Sequence, residues 1–167
     1  MLSNRLKNVV SQVNTGNLIA DIGTDHGYVP IYLIKNSIAK KAIAADISKG
    51  SCDKAKTNIS LYGLNDKIDV RCGNGLEIIK DSEIIDTIII SGMGGLLTID
   101  VLKSNEKAVK NANQLILQPQ RDIEKVRAYL HSINYKIINE EMLMESGKYY
   151  TIINAVKGSD EEYSEIE

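Results

Sequence analysis

The chain has 167 residues, of which 43% are hydrophobic and 25% charged, values close to those of globular domains and unlike disordered or fibrous proteins. The formal net charge is −2, but residues 158–167 hold five acids and no Lys or Arg, so the remainder is mildly basic and compatible with a polyanionic partner. We see no membrane-length apolar run and no signal peptide, and therefore expect a cytoplasmic protein.

The first elements along the chain are a helix, a strand, a glycine loop and a second helix. An amphipathic helix is predicted over 2–13, with its apolar residues at helical spacing and Ser3 near its start. A short apolar strand follows at 18–22 and ends in the glycine loop 23–27. The next helix is predicted over 28–36, and Pro30 is tolerated early in it.

The same alternation continues to about residue 133. Further strands are predicted at 42–46, 68–71, 87–90 and 115–117, and helices follow Ser48, over 96–107, and around 123–133. The last two strands, 135–142 and 149–156, are joined by a glycine-containing turn and predict an antiparallel hairpin. The fold class is therefore α/β, with a mostly parallel seven-stranded sheet covered on both faces by helices.

Domain organisation and metal content follow from length and composition. The length favours one domain of residues 1–157, followed by an acidic tail, 158–167. Cys52 and Cys72 lie far apart without a Cys-x-x-Cys motif, and His26 and His131 are the two histidines of the sequence. We therefore expect neither a disulfide framework nor a metal site, and both thiols are predicted to be buried. The sequence does not determine an oligomeric state, and a monomer is compatible with it.

Glycines and acids collect at the predicted carboxyl ends of the strands, where open parallel sheets bind their ligands. The first strand ends in the pattern Asp21-x-Gly23-x-Asp25-x-Gly27, and the second ends in Asp46. An acid at that position can accept hydrogen bonds from both hydroxyls of a ribose. Together these residues predict a ligand that contains a nucleoside, although each glycine alone is also compatible with a structural turn.

The charges of the first loop distinguish between nucleoside cofactors. A dinucleotide site begins with glycine where this chain has Asp21, and Asp25 adds a second negative charge. Two carboxylates would repel a pyrophosphate but suit a ligand with cationic centres. The loop therefore favours S-adenosylmethionine, whose sulfonium and ammonium groups are positive, over NAD.

The residues of this loop also carry a family resemblance. Residues 20–30 (ADIGTDHGYVP), 91–95 (SGMGG), 115–119 (LILQP) and the opening 2–6 (LSNRL) closely resemble the bacterial family of tRNA (adenine-N1) methyltransferases that modify the D-loop adenine at tRNA position 22. The resemblance implies a Rossmann-like class I methyltransferase fold, S-adenosylmethionine as cofactor, and tRNA as partner. It also implies that the acidic tail begins a helical C-terminal domain typical of the family.

The resemblance assigns a set of residues to the cofactor. Asp21, Gly23 and Gly27 would hold the amino-acid end, Asp46 and Ile47 the ribose and adenine, and Asn74 the adenine amino group, where many methyltransferases have Asp. The full set is Asp21, Gly23, Thr24, Gly27, Asp46, Ile47, Asn74, Gly75, Gly92 and Met93.

Three residues are candidates for catalysis. Asp25 would stabilise the positive charge that develops on the methylated base and take up a proton, with His26 supporting it. Tyr28 would stack on an adenine turned out of its helix. Alternative roles are capping of the next helix for Asp25, a local hydrogen bond for His26, and a half-buried packing position for Tyr28.

The remaining candidates contact the substrate. The fourth strand lacks the Asn/Asp-Pro-Pro-aromatic sequence of methyltransferases that act on exocyclic nitrogens, which fits a ring nitrogen as target. The candidates for tRNA binding are Arg5, Gly94, Gly95, Gln118, Pro119 and Arg121, with Lys7, Lys35, Lys40, Lys41 and Lys125 as further phosphate contacts. Two other hypotheses stay open, a methyltransferase for a small molecule or protein and a cofactor-binding module without catalysis.

Overall fold

A computed structural model describes residues 2–159, and a mixed sheet forms its centre. The strands are β1 (Gly16–Ile22), β2 (Ala39–Asp46), β3 (Ile68–Cys72), β4 (Thr87–Met93), β5 (Gln114–Pro119), β6 (Tyr135–Glu145) and β7 (Lys148–Lys157). Their order in the sheet is β3-β2-β1-β4-β5-β7-β6. The first five strands run parallel, and β7 is antiparallel to both of its neighbours. The predicted α/β architecture with a C-terminal hairpin is confirmed.

Helices cover both faces of this sheet. They are α1 (Asn4–Ser11), α2 (Tyr28–Lys35), α3 (Lys49–Leu61), α4 (Gly95–Lys103), α5 (Glu106–Asn111) and α6 (Ile123–Ser132), and a short 3-10 helix spans Gly75–Ile78. Apolar residues of α1, α2 and α3 form one buried cluster, and those of α4, α5 and α6 form another on the opposite face. The strands between them are apolar on both sides, as expected for a parallel sheet with two covered faces.

Side-chain caps place several helix ends where the sequence predicts them. The Ser3 hydroxyl accepts a hydrogen bond from the Leu6 amide at the start of α1, and Ser48 caps α3 in the same way. The predicted helix 96–107 is wrong in its extent, because the chain forms two helices there. Asn105 accepts a hydrogen bond from the Ala108 amide and so begins α5 as a separate helix.

The hairpin turn is tighter than the predicted four-residue connection. Ser146 and Gly147 both adopt positive φ, 52° and 77°, which is the backbone of a two-residue type I′ turn. The pairing therefore continues to Glu145 opposite Lys148. This extends both strands beyond their predicted ends.

Three further expectations concern single features. Cys52 is buried as predicted, but Cys72 is exposed at the end of β3, so the prediction of two buried thiols is wrong for Cys72.

Within residues 2–159 no helix is long and apolar enough to cross a bilayer, and no three His, Cys, Asp or Glu side chains are grouped as metal ligands. Most of the predicted acidic tail, 160–167, lies outside the described residues.

A buried amide at the start of β5 connects α1 to the sheet. The Gln114 side chain accepts hydrogen bonds from the Asn14 amide and the Thr87 hydroxyl, at 2.9 and 3.0 Å. It donates to the Gln12 carbonyl and the Asn154 side chain, at 2.8 and 3.0 Å. Because the residue is 1% exposed, these partners cannot turn to water if the amide is removed.

We expect Gln114→Leu to lower the free energy of unfolding by roughly 2–4 kcal/mol, because it leaves several buried polar groups without a partner. Urea unfolding measures this change. Asn113→Ala, a change at the exposed neighbouring amide, is the control and should alter stability little. Equal effects of the two substitutions would contradict the role given to the Gln114 network.

Candidate active site

The candidate site lies at the carboxyl edge of the sheet, where the strand order reverses. β1 lies between β2 and β4 in the sheet. The helices that follow β1 and β4, α2 and α4, cover opposite faces, which opens a crevice above the ends of these two strands. A cavity of about 260 Å³ lies there. It is lined by Arg5, Leu6, Asp21, Gly23, Thr24, Asp25, His26, Tyr28, Val29, Ser91, Gly92 and Gln120.

The glycine turn after β1 brings the backbone close to this cavity. Gly23 has φ +80°, and a Cβ there would meet the Met93 side chain at 2.6 Å, so only glycine fits without displacing Met93. Gly27 has φ +76° and precedes α2, and a Cβ there would press on Ala55 of α3 at 3.3 Å. Positive φ is therefore the main reason for glycine at both positions, and close packing adds to it.

Asp21, the penultimate residue of β1, places a carboxylate in the cavity although the residue is only 4% exposed. Burial, and to a smaller extent the negative charge of Asp46, raise the pKa of this carboxyl from its ordinary value to about 7. Thr24 and Arg5 lower the pKa in part. Among the described residues no donor forms a hydrogen bond of standard geometry with the Asp21 carboxylate, so its charge is poorly compensated.

A second polar group beside Asp21 also lacks a partner. The Thr24 hydroxyl is buried and lies near enough to affect Asp21, yet it forms no hydrogen bond of standard length and angle within residues 2–159. Buried hydroxyls are normally satisfied by protein or by water. A poorly compensated carboxylate and a hydroxyl that only weakly interacts with it give this cavity the groups that suit a polar ligand.

The residues predicted for ribose and adenine lie on the adjoining surface above β2 and β3. The Asp46 carboxylate accepts hydrogen bonds from the Asp25 amide at 3.1 Å and the Ser48 amide at 2.9 Å, which fixes its orientation. Ile47 is 72% exposed, and Asn74 is exposed as well. Gly75 instead faces α4, where a Cβ would meet the Ser104 hydroxyl at 2.8 Å.

The three candidate catalytic residues form a connected group on the loop. Asp25, with φ 55° and a side chain 62% exposed, lies 3.4 Å from His26 through Oδ2 and Nε2. The Ser51 hydroxyl contacts the other oxygen of Asp25 at 3.4 Å. The His26 and Tyr28 rings stack with centroids 5.3 Å apart. Asp25 does not cap α2, because Gly27 is the N-cap residue of that helix and no side chain accepts a cap hydrogen bond there.

The loops after β4 and β5 are joined by two backbone hydrogen bonds. The Gln120 amide donates to the Met93 carbonyl at 2.8 Å, and the Gly95 amide donates to the Arg121 carbonyl at 2.9 Å. A Cβ on Gly95 would collide with the carbonyls of Arg121 and Asp122, and the Arg121 stem lies beside Gly94. Pro119 is buried in the same junction. This junction supports one wall of the site, where Ser91, Gly92 and Gln120 line the cavity. Gly94, Gly95, Pro119 and Arg121, predicted to contact the substrate, do not line it.

Arg5 reaches this wall from the first helix. Its Nη1 donates to the Gln118 Oε1 at 2.9 Å and contacts the Ser91 hydroxyl at 3.3 Å. The Gly92 amide donates to the same Gln118 oxygen at 3.0 Å. The guanidinium therefore lines the cavity and is not displayed as a free surface cation. The Gln118 Nε2 is buried and, within residues 2–159, has no hydrogen-bond partner.

Sequence reasoning missed some residues of the site. Ser91 and Gln120 line the cavity at the ends of β4 and β5, next to residues that were predicted. Leu6 and Val29 line it from α1 and α2. Their positions at the ends of the fourth and fifth strands could have indicated Ser91 and Gln120. Nothing in the sequence indicated how α1 packs against the site.

The doubly wound sheet, with an acidic and glycine-lined cavity at its switch point, defines a Rossmann-like α/β protein with a site for a nucleoside cofactor. The family model described as "Methyltransferase domain" matches residues 2–153. The chain therefore belongs to the methyltransferase domain family.

Relatives and solved structures resemble the chain over nearly its whole length. It is 40% identical over 157 residues to the tRNA (adenine(22)-N(1))-methyltransferase of Bacillus subtilis, an alignment that covers 94% of this chain and 66% of that protein. The chain thus spans slightly less than two thirds of the length of this relative.

Two solved structures were determined with ligands. The M. capricolum TrmK complex with S-adenosyl-homocysteine has a TM-score of 0.91 and 36% identity, covering 99% of this chain and 73% of that one. Streptococcus pneumoniae Sp1610 in complex with S-adenosyl-L-methionine has a TM-score of 0.94 and 35% identity, covering 98% of this chain and 77% of that one.

We expect Asp21→Asn to raise the free energy of unfolding at pH 8 by roughly 1–4 kcal/mol. The folded chain keeps a proton on Asp21 up to about pH 7, whereas the unfolded chain releases it near pH 4. Stability is therefore lost as pH rises through this interval, and the neutral amide avoids the loss.

Urea unfolding at pH 8 and at pH 4 measures this effect, and the gain should be small at pH 4. Asp66→Asn, at an exposed carboxylate, serves as the control and should change stability little at either pH. A gain of the same size at both values would contradict the assignment of the effect to ionisation of Asp21.

Proposed function

We propose that the chain is an S-adenosylmethionine-dependent tRNA methyltransferase that transfers a methyl group to N1 of adenine-22 in the D-loop. The observation that carries the proposal is the poorly compensated carboxylate of Asp21 in a glycine-lined cavity at the switch point of the sheet. Such a group calls for a cationic ligand. The name of the B. subtilis relative supports tRNA as the methyl acceptor, and the S. pneumoniae complex supports S-adenosylmethionine as that ligand.

The residues present fit the amino-acid end of this cofactor. Asp21 would accept from its ammonium group, which removes the cost of keeping the carboxylate buried and charged. The Thr24 hydroxyl, unpaired beside it, would satisfy the cofactor carboxylate or an ordered water. The turn at Gly23 allows the backbone to approach without a Cβ in the way.

The adjoining surface fits the nucleoside half. Each oxygen of Asp46 holds one backbone amide and keeps a lone pair free for a ribose hydroxyl. The exposed side chain of Ile47 offers an apolar face for adenine, and Asn74 offers an amide for its edge. The proposed cofactor contacts therefore follow the ends of β1, β2 and β3 in order.

Positioning is the main task of the protein in this reaction. When bound, S-adenosylmethionine supplies an electrophilic methyl group, and adenine N1 already carries the lone pair that attacks it. Holding the nucleophile about 3–3.5 Å from the methyl carbon can lower the barrier by roughly 7–11 kcal/mol. Ser91, Gly92 and Gln120, which line the cavity at the ends of β4 and β5, would position the base. The buried Gln118 would support them through its hydrogen bond to the Gly92 amide.

The group of Asp25, His26 and Tyr28 would meet the charge that appears on the base. N1 methylation makes the adenine ring cationic, and an acid on the loop stabilises that charge and can take up the proton released later. His26 holds the Asp25 carboxylate from one side. One face of the Tyr28 ring stacks on His26, and the ring would pack against the target base.

We expect the chain to transfer labelled methyl groups from S-adenosylmethionine to total bacterial tRNA. Transcripts with and without a substitution at adenine-22 are the matched substrates, and label should be lost with the substitution. The reason is that only adenine-22 would present its N1 to the site. Scintillation counting of precipitated tRNA measures the transfer.

The same assay separates the alternative functions. Turnover that does not require tRNA would indicate a small-molecule or protein substrate. Calorimetric binding of S-adenosylmethionine without transfer to any acceptor would indicate a binding module without catalysis. Binding of NAD in place of S-adenosylmethionine would contradict the electrostatic argument about Asp21.

We expect Asp25→Asn to lower kcat for tRNA methylation by roughly tenfold, with little change in the affinity for S-adenosylmethionine, because the amide cannot stabilise the cationic base. Steady-state kinetics and calorimetry measure the two quantities. The control is Asp53→Asn, at an exposed acid of α3 that pairs with Lys49. An unchanged kcat at unchanged cofactor affinity would contradict the role of Asp25.

A further inference from the structure

The hairpin formed by β6 and β7 extends past the end of β5 on the active-site edge of the sheet. β7 is antiparallel to β5, and their pairing ends with Leu117 opposite Ile153. The hairpin pairing continues to Glu145 opposite Lys148, well beyond that point. Its turn therefore lies on the same side of the sheet as the loops that line the cavity.

A second cleft, of about 220 Å³, lies between this hairpin end and the loop after β5. It is lined by Gln120, Arg121, Lys148, Tyr149 and Tyr150, and we call it the hairpin cleft. Gln120 lines the active-site cavity as well, so the two spaces adjoin. A ligand that fills one could continue into the other.

The hairpin cleft presents an aromatic surface to solvent. Tyr149 is 73% exposed, and Met144, its cross-strand partner, is 63% exposed. Tyr150 is half-buried, with the guanidinium of Arg5 5.6 Å from its ring centroid. An exposed aromatic residue beside a cavity is available for stacking and is not needed for the core.

The two charged residues that line the hairpin cleft are both cations. Arg121 and Lys148 line it, and neither forms an ion pair with any residue in the described part of the chain. Two acids lie nearby and neither lines the cleft. Glu145, opposite Lys148 in the hairpin, accepts a hydrogen bond from the Arg5 amide at 3.3 Å, and Asp122 lies 3.6 Å from Lys125. Two free cations beside an exposed aromatic ring are the elements of a single-stranded nucleic-acid site.

We propose that the hairpin cleft binds a nucleotide of single-stranded RNA that neighbours the target adenine. Tyr149 stacks on its base, and Arg121 and Lys148 contact its phosphates. The proposal rests on the proposed function, because it names the part of the RNA substrate held next to the methylated base. It gives the hairpin a part in substrate binding in addition to closing the sheet.

The absence of Trp from the sequence allows a direct test with a single fluorescent residue. Tyr149→Trp keeps a stacking ring and creates the one Trp of the chain. Tyr129→Trp is the matched control, since Tyr129 also lies beside a cation, Lys103, but near the end of α6 at the opposite edge of the sheet. Titration with a short unstructured oligoribonucleotide should quench the Trp at position 149 and leave the Trp at position 129 unchanged.

Loss of the ring should weaken tRNA binding without affecting the cofactor. Tyr149→Ala should raise KM for tRNA roughly tenfold, since base stacking on an aromatic side chain is worth about that much or more. Tyr149→Phe should restore it, and the affinity for S-adenosylmethionine should stay the same. Arg121→Gln and Lys148→Gln should each reduce the slope of log affinity against log salt by roughly 0.7, whereas Lys67→Gln at the far edge should not.

The outcomes separate this proposal from the proposed function. Quenching at position 149 in a chain that methylates no tRNA would leave the cleft as an RNA site and overturn the proposed function. If the chain methylates tRNA and Tyr149→Ala has the same KM for tRNA as the unchanged chain, the RNA site is overturned and the proposed function stands. Equal quenching of both Trp variants, or of neither, would also overturn it.

Discussion

A buried carboxylate is the constraint around which the site is arranged. Asp21 lies in a parallel strand between two others, at a depth where a charge is costly unless a partner compensates it. The chain compensates it only partly, through Thr24 and the more distant charge of Arg5. The folded protein therefore carries an unfavourable group that a cationic ligand relieves. The same residue, Asp21, therefore affects both which ligand binds and how stable the domain is.

The remaining walls depend on close backbone approach and on one long side chain. Because Gly23 and Gly95 have no side chain, Met93 can lie close to the first and the Arg121 carbonyl close to the second. The loops after β1, β4 and β5 therefore pack closely against each other. Arg5 then joins the first helix to the ends of β4 and β5. The cavity is therefore formed by elements from both ends of the chain and is not a property of the first loop alone.

The sequence predicts best what local chemistry decides. Alternating strands and helices gave the architecture, and the acid and glycine spacing of residues 21–27 located the cavity, because carboxyl ends of parallel strands must meet. Long-range packing decided the rest. Arg5 turns inward because Gln118 lies opposite it, Gly75 faces α4 because Ser104 fills the turn, and Asn105 divides a helix whose apolar pattern is continuous. The hairpin cleft could not be predicted, because it is lined by residues next to a turn of two residues where the sequence predicted a connection of four.

The contacts of α1 also determine when the site can form during synthesis. Arg5 binds Gln118, its amide contacts Glu145, and Gln12 donates to Glu141, so the first helix is held by residues made more than a hundred positions later. Such non-local contacts close late in folding. In a nascent chain still on the ribosome, the first helix cannot make these contacts until the hairpin has emerged. Premature termination products that end before the hairpin would retain the glycine loop but lack the contacts that hold the first helix against the sheet.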